Sequence, residues 1–170
     1  PDGDGIGQSV SATKVNLKGE ALLSARAGYY GLINHLDDQI RRLMNGIAGG
    51  VNPQDTVIVY TSDHGEMLGD HYYWGKSVPY EGSARVPLLI RVPAALGFPK
   101  GQSIEQPVCL EDIMPTMLEL AGVETPSSVE GKSLVPLMRQ ENADWREHLH
   151  IECAPLHHTL TDGKEKYIWW

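Results

Sequence analysis

The stretch "TVIVYTSDHGEMLGDHYYWGK", residues 56 to 76, decides how this chain is read. It opens as a core strand and closes as a run of ligand-type side chains. Val57, Ile58, Val59 and Tyr60 are apolar on both faces, which predicts a buried, parallel strand over 56 to 61. Thr61, Ser62, Asp63, His64, Glu66, Asp70 and His71 then crowd its exit. Ligands of open α/β sheets bind beyond the carboxyl ends of the strands, so residues 61 to 64 fall where a site is expected.

Asp63 offers a carboxylate oxygen and His64 an imidazole nitrogen. Aspartate among oxygen neighbours suits calcium, magnesium or manganese, and an added histidine opens zinc and manganese. Gly65 is expected to let the chain turn sharply after them. Two adjacent ligands do not complete a site, so the others must come from elsewhere. Lys76 follows an aromatic patch of Tyr72, Tyr73 and Trp74. An ammonium beside a metal suits an anionic tetrahedral group whose oxygens gather charge during reaction. Spacing alone leaves two blander readings open: Asp-His hydrogen-bonding a turn, and a solvated surface lysine.

Working outward, Leu22, Tyr29, Leu32, Ile33, Leu36, Ile40, Leu43, Met44 and Ile47 recur at steps of three and four, predicting a helix over 19 to 47. Gly49-Gly50 stops it, and Asp37 and Asp38 read as a solvated face. "NPQD" turns the chain into the strand. "ARVPLLIRVP", 84 to 93, gives a second strand that Pro87 and Pro93 keep short or at an edge. A helix follows over 111 to 123, with Asp112 as N-cap, Pro115 in its first turn and Gly122 as its stop. "VETPSSVEGKSLVPLM" is expected to cross the surface. "REHLHIECA" and "HTLTDGKEKYIWW" read as strands of a separate antiparallel sheet, with Asp162-Gly163 as a hairpin turn. Residues 1 to 17 read as loop or linker. "GDGIGQ" within them has no preceding strand and so makes a poor dinucleotide loop. There is no internal repeat. The fold expected is α/β over 18 to 145, followed by the start of a small antiparallel subdomain over 146 to 170.

The 170 residues are enough for a real core, and the net charge of −8 lacks the basic footprint that nucleic acid or an anionic membrane requires. No apolar run approaches the roughly 20 residues of a membrane span. No signal peptide is visible and the chain starts without Met, which suggests a processed chain or an excised piece and leaves the compartment open. Two cysteines, Cys109 and Cys153, make no disulfide framework.

"YTSDHGEMLGDHYYWGKSVPYEGSARVPLLIR" resembles the C-terminal half of a type I sulfatase, in the arylsulfatase and choline-sulfatase group of the alkaline phosphatase superfamily. "ARAGYYGLINHLDDQIRRLM", "DIMPTMLELAGVETPSSVEGKSLVPLM" and "HIECAPLHHTLTDGKEKYIWW" continue the resemblance in the expected order, from about residue 20 to 170. The resemblance implies an alkaline-phosphatase-like α/β sandwich. It implies Asp63 as a ligand of a divalent metal, usually Ca2+, with Mg2+ or Mn2+ as alternatives. His64, where relatives carry Asn or His, becomes a ligand or a donor to the sulfate. Lys76 becomes a sulfate-binding residue, while Glu81 and Arg85 brace the loop that presents it. Chemistry in the family uses a formylglycine made from Cys or Ser in a C/S-x-P/A-x-R motif. Its hydrate attacks sulfur, the alcohol leaves, and the hemiacetal sulfate collapses to expel sulfate.

That motif is not in this sequence. Cys153 in "CAPLH" is followed by His157 where Arg should stand, and it lies in the wrong part of the chain for the nucleophile. The family's two N-terminal aspartates, its nucleophile-side lysine and its central histidine also have no counterpart here. The expectation is a C-terminal piece carrying about half of a metal site, inactive and prone to self-association when isolated.

His148, His150, His157 and His158 fall within eleven residues. They are metal ligands in principle, and strand period puts His148, His150 and Glu152 on one face. They are equally well exposed strand and loop residues. The resemblance makes this region a wall of the substrate pocket, with His157 or His158 touching the alcohol portion. The function expected of the full protein is sulfate ester hydrolysis, acting on a small sulfate ester or a sulfated glycan. Phosphonate or phosphate ester hydrolysis is the alternative within the superfamily, and a fold fragment without activity is the non-enzymatic reading.

Overall fold

A computed structural model describes residues 12–47, 49–50, 52–153 and 156–170. "GDGIGQ" lies outside them, as do Ala154 and Pro155 of the cysteine motif. The chain divides into two compact units, Pro1–Leu96 and Gly97–Trp170.

The first unit holds strand β1 (Ala12–Lys14), helix α1 (Gly19–Ile47), strand β2 (Ile58–Thr61), strand β3 (Tyr73–Gly75), helix α2 (Glu81–Ala84) and strand β4 (Leu88–Arg91). The helix expected over 19 to 47 is present with those bounds. Much of its apolar stripe stays open: Leu23, Leu32 and Leu43 are 66%, 68% and 62% exposed. Strand β2 corrects the reading of 56 to 61. It is neither parallel nor fully buried, but pairs antiparallel with β4 in the register Ile58↔Arg91 to Thr61↔Leu88. Tyr60 and Leu89 face out from this ribbon. Apolarity on both faces reports the character of the flanking layers and does not fix the direction of the partner strand. The short β4 fits the limits set by Pro87 and Pro93.

Two short strands had no sequence signal. Ala12–Lys14 lies inside the segment read as loop, yet it pairs antiparallel with Tyr73–Gly75. Three residues are too few to show a period of two.

The second unit holds helix α3 (Ile113–Leu120), helix α4 (Val135–Met138), and strands β5 (Leu149–Cys153), β6 (His157–Thr161) and β7 (Lys166–Trp169). The three strands form an antiparallel meander, β5-β6-β7, as expected. Gly163 takes φ +88° at the β6–β7 turn. Gly122 takes φ +70° and ends α3 as expected.

Two expectations here need correction. The passage expected to cross the surface ends in the core: Leu134, Val135, Leu137 and Met138 are all buried. Averaging over a Pro/Gly/Ser-rich window hid its apolar tail. Asp112 stands at the N-cap position of α3, but its backbone is already helical and its side chain makes no capping hydrogen bond to that helix. Its fully buried carboxylate instead accepts from the Cys109 amide at 2.9 Å and the Lys132 amide at 2.8 Å. The Arg146 guanidinium grips it with both terminal nitrogens, Nη2 at 2.7 Å from Oδ1. Burial works against the charge on Asp112, but the Arg146 hydrogen bonds and the two amides outweigh it, holding this carboxyl below its ordinary range.

Candidate functional site

The loop after β2 is built from backbone that only certain residues allow. A Cβ on Gly65 would collide with the Gly82 carbonyl oxygen, and the Gly65 amide donates to the Ser83 carbonyl at 2.8 Å. Gly65 is therefore needed for close approach to α2. Its φ is not left-handed. Beyond it, Met67 donates to the Gly75 carbonyl at 2.9 Å and Gly69 to the Tyr73 carbonyl at 2.8 Å, so residues 67 to 75 close as a hairpin-like loop. Leu68, His71 and Tyr72 adopt φ of 49°, 51° and 64°, and Ser77, beside Lys76, adopts 67°. Non-glycine residues pay for this region, so the loop stores strain that its surroundings must hold.

What holds it is visible. Met67 and Val78 are buried against Tyr73 and Tyr80 and give the loop a small core. Glu66 Oε1 accepts from the amides of Gly75 at 2.5 Å and Leu68 at 3.2 Å, tying the neck of the loop. Arg26 of α1 donates from Nε to the Leu68 carbonyl at 2.9 Å and lies 3.6 Å from Asp70. The sequence gives Arg26 no role, and Glu66, first counted among the ligand-type side chains, only a supporting one. Arg26 carries no local signal, because it acts on backbone 42 residues along the chain. Glu81 and Arg85, expected as braces, pair at 3.7 Å on the exposed side of α2, where such a pair contributes little.

At the exit of β2, Asp63 is open to solvent with its side chain 82% exposed. Its Oδ1 accepts from the His64 amide at 3.0 Å, and the Ser62 hydroxyl donates to the His64 carbonyl at 2.7 Å. These bonds fix the strand end and point the Asp63 and His64 side chains together. Desolvation, the largest single influence, opposes the charge on Asp63. The His64 ring and amide, and the ammonium of Lys76, outweigh it and lower the Asp63 pKa below its ordinary value. Lys76 contributes the weakest of these influences, while Asp63 and His64 lie side by side. All three lie in the first unit.

The His64 ring gives the chemistry. Its Nδ1 lies 2.8 Å from the Gly65 carbonyl oxygen, which can only accept, so Nδ1 carries a proton. Nε2 then faces Asp63 Oδ2 at 3.5 Å. A bare lone pair there would oppose an anionic oxygen. The arrangement is relieved by a cation, whether a proton on Nε2 or a metal ion shared by nitrogen and carboxylate. The donor set therefore fits a divalent metal.

His157 and His158 lie on adjacent positions of β6 in the second unit. His157 is buried, its ring centroid 5.6 Å from that of Trp170, while His158 is half-exposed beside Trp169 at 5.7 Å.

The Sulfatase family profile matches residues 5–123. Over 99% of its length the chain is 38% identical to an arylsulfatase of Clostridium perfringens, covering 36% of that protein. Among solved structures it is similar to the phosphonate monoester hydrolase of Silicibacter pomeroyi, with TM-score 0.81 and 32% identity over 92% of this chain and 34% of that one. It is also similar to a protein solved in complex with its substrate D-glucosamine-2-N,6-O-disulfate, with TM-score 0.67 and 32% identity over 90% of this chain and 34% of that one. The chain spans about a third of the length of these relatives. The matched family works in general with a metal ion and a formylglycine. The Asp-His-Gly exit of β2, the loop that follows it and the family profile agree: the chain belongs to the sulfatase family of the alkaline phosphatase superfamily.

Proposed function

We propose that the full-length protein hydrolyses sulfate esters, and that residues 18 to 145 carry one side of its anion site, with the antiparallel subdomain beginning at 146. The observation that supports this reading is the pairing of Asp63 Oδ2 with His64 Nε2 at 3.5 Å at the exit of β2, ahead of the strained loop that leads to Lys76. Asp63 and His64 would hold a divalent cation, Ca2+ on the family precedent, with Mg2+ or Mn2+ as alternatives. When bound, such a cation supplies charge stabilisation to oxygens of a tetrahedral anion. Lys76 binds and orients one of those oxygens, on a loop that Glu66 and Arg26 hold in its strained form. Asp63 stays ionised at neutral pH, and the Gly65 carbonyl keeps the His64 ring in one tautomer. The nucleophile, a formylglycine by resemblance, is contributed by residues outside the sequence described here.

The substrate we propose is a small sulfate ester or a sulfated glycan, in line with the sulfated glucosamine bound by one similar structure. The open apolar stripe of α1 supports self-association of the isolated chain. Among the described residues no helix is long and apolar enough to cross a membrane.

A second reading, phosphonate ester hydrolysis, is favoured by the likeness to a phosphonate monoester hydrolase. Sulfur and phosphorus esters both present tetrahedral oxyanions, so the half-site does not separate them. The test is turnover of 4-nitrophenyl sulfate against a phenylphosphonate monoester by the full-length protein. A preference for the sulfate is expected. Turnover of the phosphonate alone would replace the first reading by the second, and turnover of neither, with metal and formylglycine verified, would defeat both.

A further inference from the structure

Histidines 148, 150, 157 and 158 are not equivalent once the sheet is built. His157 pairs with Cys153 and points to the buried face of the meander. His148 precedes β5, and its charge acts on Asp162 at the β6–β7 turn. The remaining pair converges. Register places Glu152 directly opposite His158, and His150 opposite Leu160, so His150 and His158 are diagonal neighbours on the exposed face. His150 Nε2 lies 3.2 Å from His158 Nδ1, and His158 Nδ1 lies 3.7 Å from Glu152 Oε2. One ligand atom from each of the three residues falls within 4.8 Å of the others.

The two imidazole nitrogens at 3.2 Å cannot both be bare, nor both protonated, without repulsion; one proton is shared between them. A dication can take that proton's place. Two nitrogen ligands at about 2.0–2.1 Å from a tetrahedral metal stand about 3.3 Å apart, close to the spacing found. The His150 and His158 rings are within 6° of parallel, and both side chains reach solvent, so modest ring rotation can aim the lone pairs at a common point. Trp169 lies beside the His158 ring and limits its swing. The geometry comes from strand register alone, and it needs no residue of the first unit.

We propose that His150, Glu152 and His158 form a binding site for a transition-metal dication of the zinc type on the exposed face of the β5–β6 pair. Two imidazoles and one carboxylate favour zinc, cobalt or nickel over calcium, which takes six to eight oxygens. Water completes the coordination, as in other sites with three protein ligands. Bound there, the ion ties β5 to β6 and stiffens the meander. This inference is independent of the proposed function.

Co2+ titration of the full-length protein tests it, in an Asp63→Asn background so that the β2 exit does not compete. One equivalent should produce the strong visible bands of four-coordinate cobalt, displaced by Zn2+. His150→Ala and His158→Ala should each abolish the bands, and Glu152→Gln should weaken binding tenfold or more. His148→Ala should leave the spectrum unchanged. All four side chains lie at or near the surface, and circular dichroism establishes that each variant is folded. Bands that persist in the His150→Ala/His158→Ala double variant would overturn the proposal. So would wild-type binding weaker than about 100 µM for both Co2+ and Zn2+.

Discussion

Replacing Asp112 by Asn should remove much of the stability of the second unit. The carboxylate receives four donors on two oxygens: the Lys132 amide and Arg146 Nη2 on Oδ1, the Cys109 amide and Arg146 Nη1 on Oδ2. Asparagine keeps the shape but offers one acceptor oxygen and one donor NH2. Either orientation turns one amide contact and one guanidinium contact into donor against donor. The loss of one neutral and one charged hydrogen bond, with Arg146 left 16% exposed and unneutralised, puts the cost at about 3–5 kcal/mol. With an m-value of about 2–3 kcal/mol/M, the urea midpoint should fall by about 1–2.5 M.

Acid supplies a second reading of the same group. The folded pKa of Asp112 is depressed relative to the unfolded chain, so between the two values only the unfolded state takes up the proton. The contribution is complete above the ordinary aspartate value of about 4 and is lost as pH falls from there through the folded value. Wild-type protein should show this acid loss, and Asp112→Asn should lack that component. Asp112→Leu with Arg146→Met should recover only part of the stability, because it removes the unneutralised guanidinium but leaves the Cys109 and Lys132 amides without their acceptor. A urea midpoint within about 0.3 M of wild type for Asp112→Asn, a shift worth under about 1 kcal/mol, would refute the reasoning.

Two further predictions concern the lysine loop. Glu66→Ala should speed amide exchange at Gly75 and Leu68 by roughly 10- to 100-fold, since charge-assisted bonds of about 1.5–3 kcal/mol are lost; unchanged protection would show that the neck is held by other means. Gly65→Ala should cost about 1–3 kcal/mol and lower the Tm, because its Cβ meets the rigid Gly82 carbonyl; an unaltered Tm would show that α2 moves aside freely.

The sequence carried some features far and others not at all. Period and stop residues gave α1 its bounds, and an Asp-Gly pair gave the β6–β7 turn, because both signals are local. The Asp-His-Gly exit of β2 was legible as ligand chemistry. The direction of β2 was not, since strand pairing is decided by residues some thirty positions away in β4. Asp112 looked like a cap because cap residues and buried ion-pair residues are the same types; only Arg146, distant in sequence, separates them. The histidines illustrate the same limit. Alternation placed His150 and Glu152 on one face, but the register that adds His158 and removes His157 belongs to the pairing of two strands.

The central claim is that Lys76, on the loop that follows Asp63 and His64, binds the reacting anion. Lys76→Ala in the full-length protein tests it most directly, with kcat/KM for a sulfate ester measured alongside the Tm. The account predicts a fall of roughly 10²–10³-fold at an unchanged Tm, with partial recovery in Lys76→Arg. A folded Lys76→Ala protein whose kcat/KM stays within about threefold of wild type would contradict it.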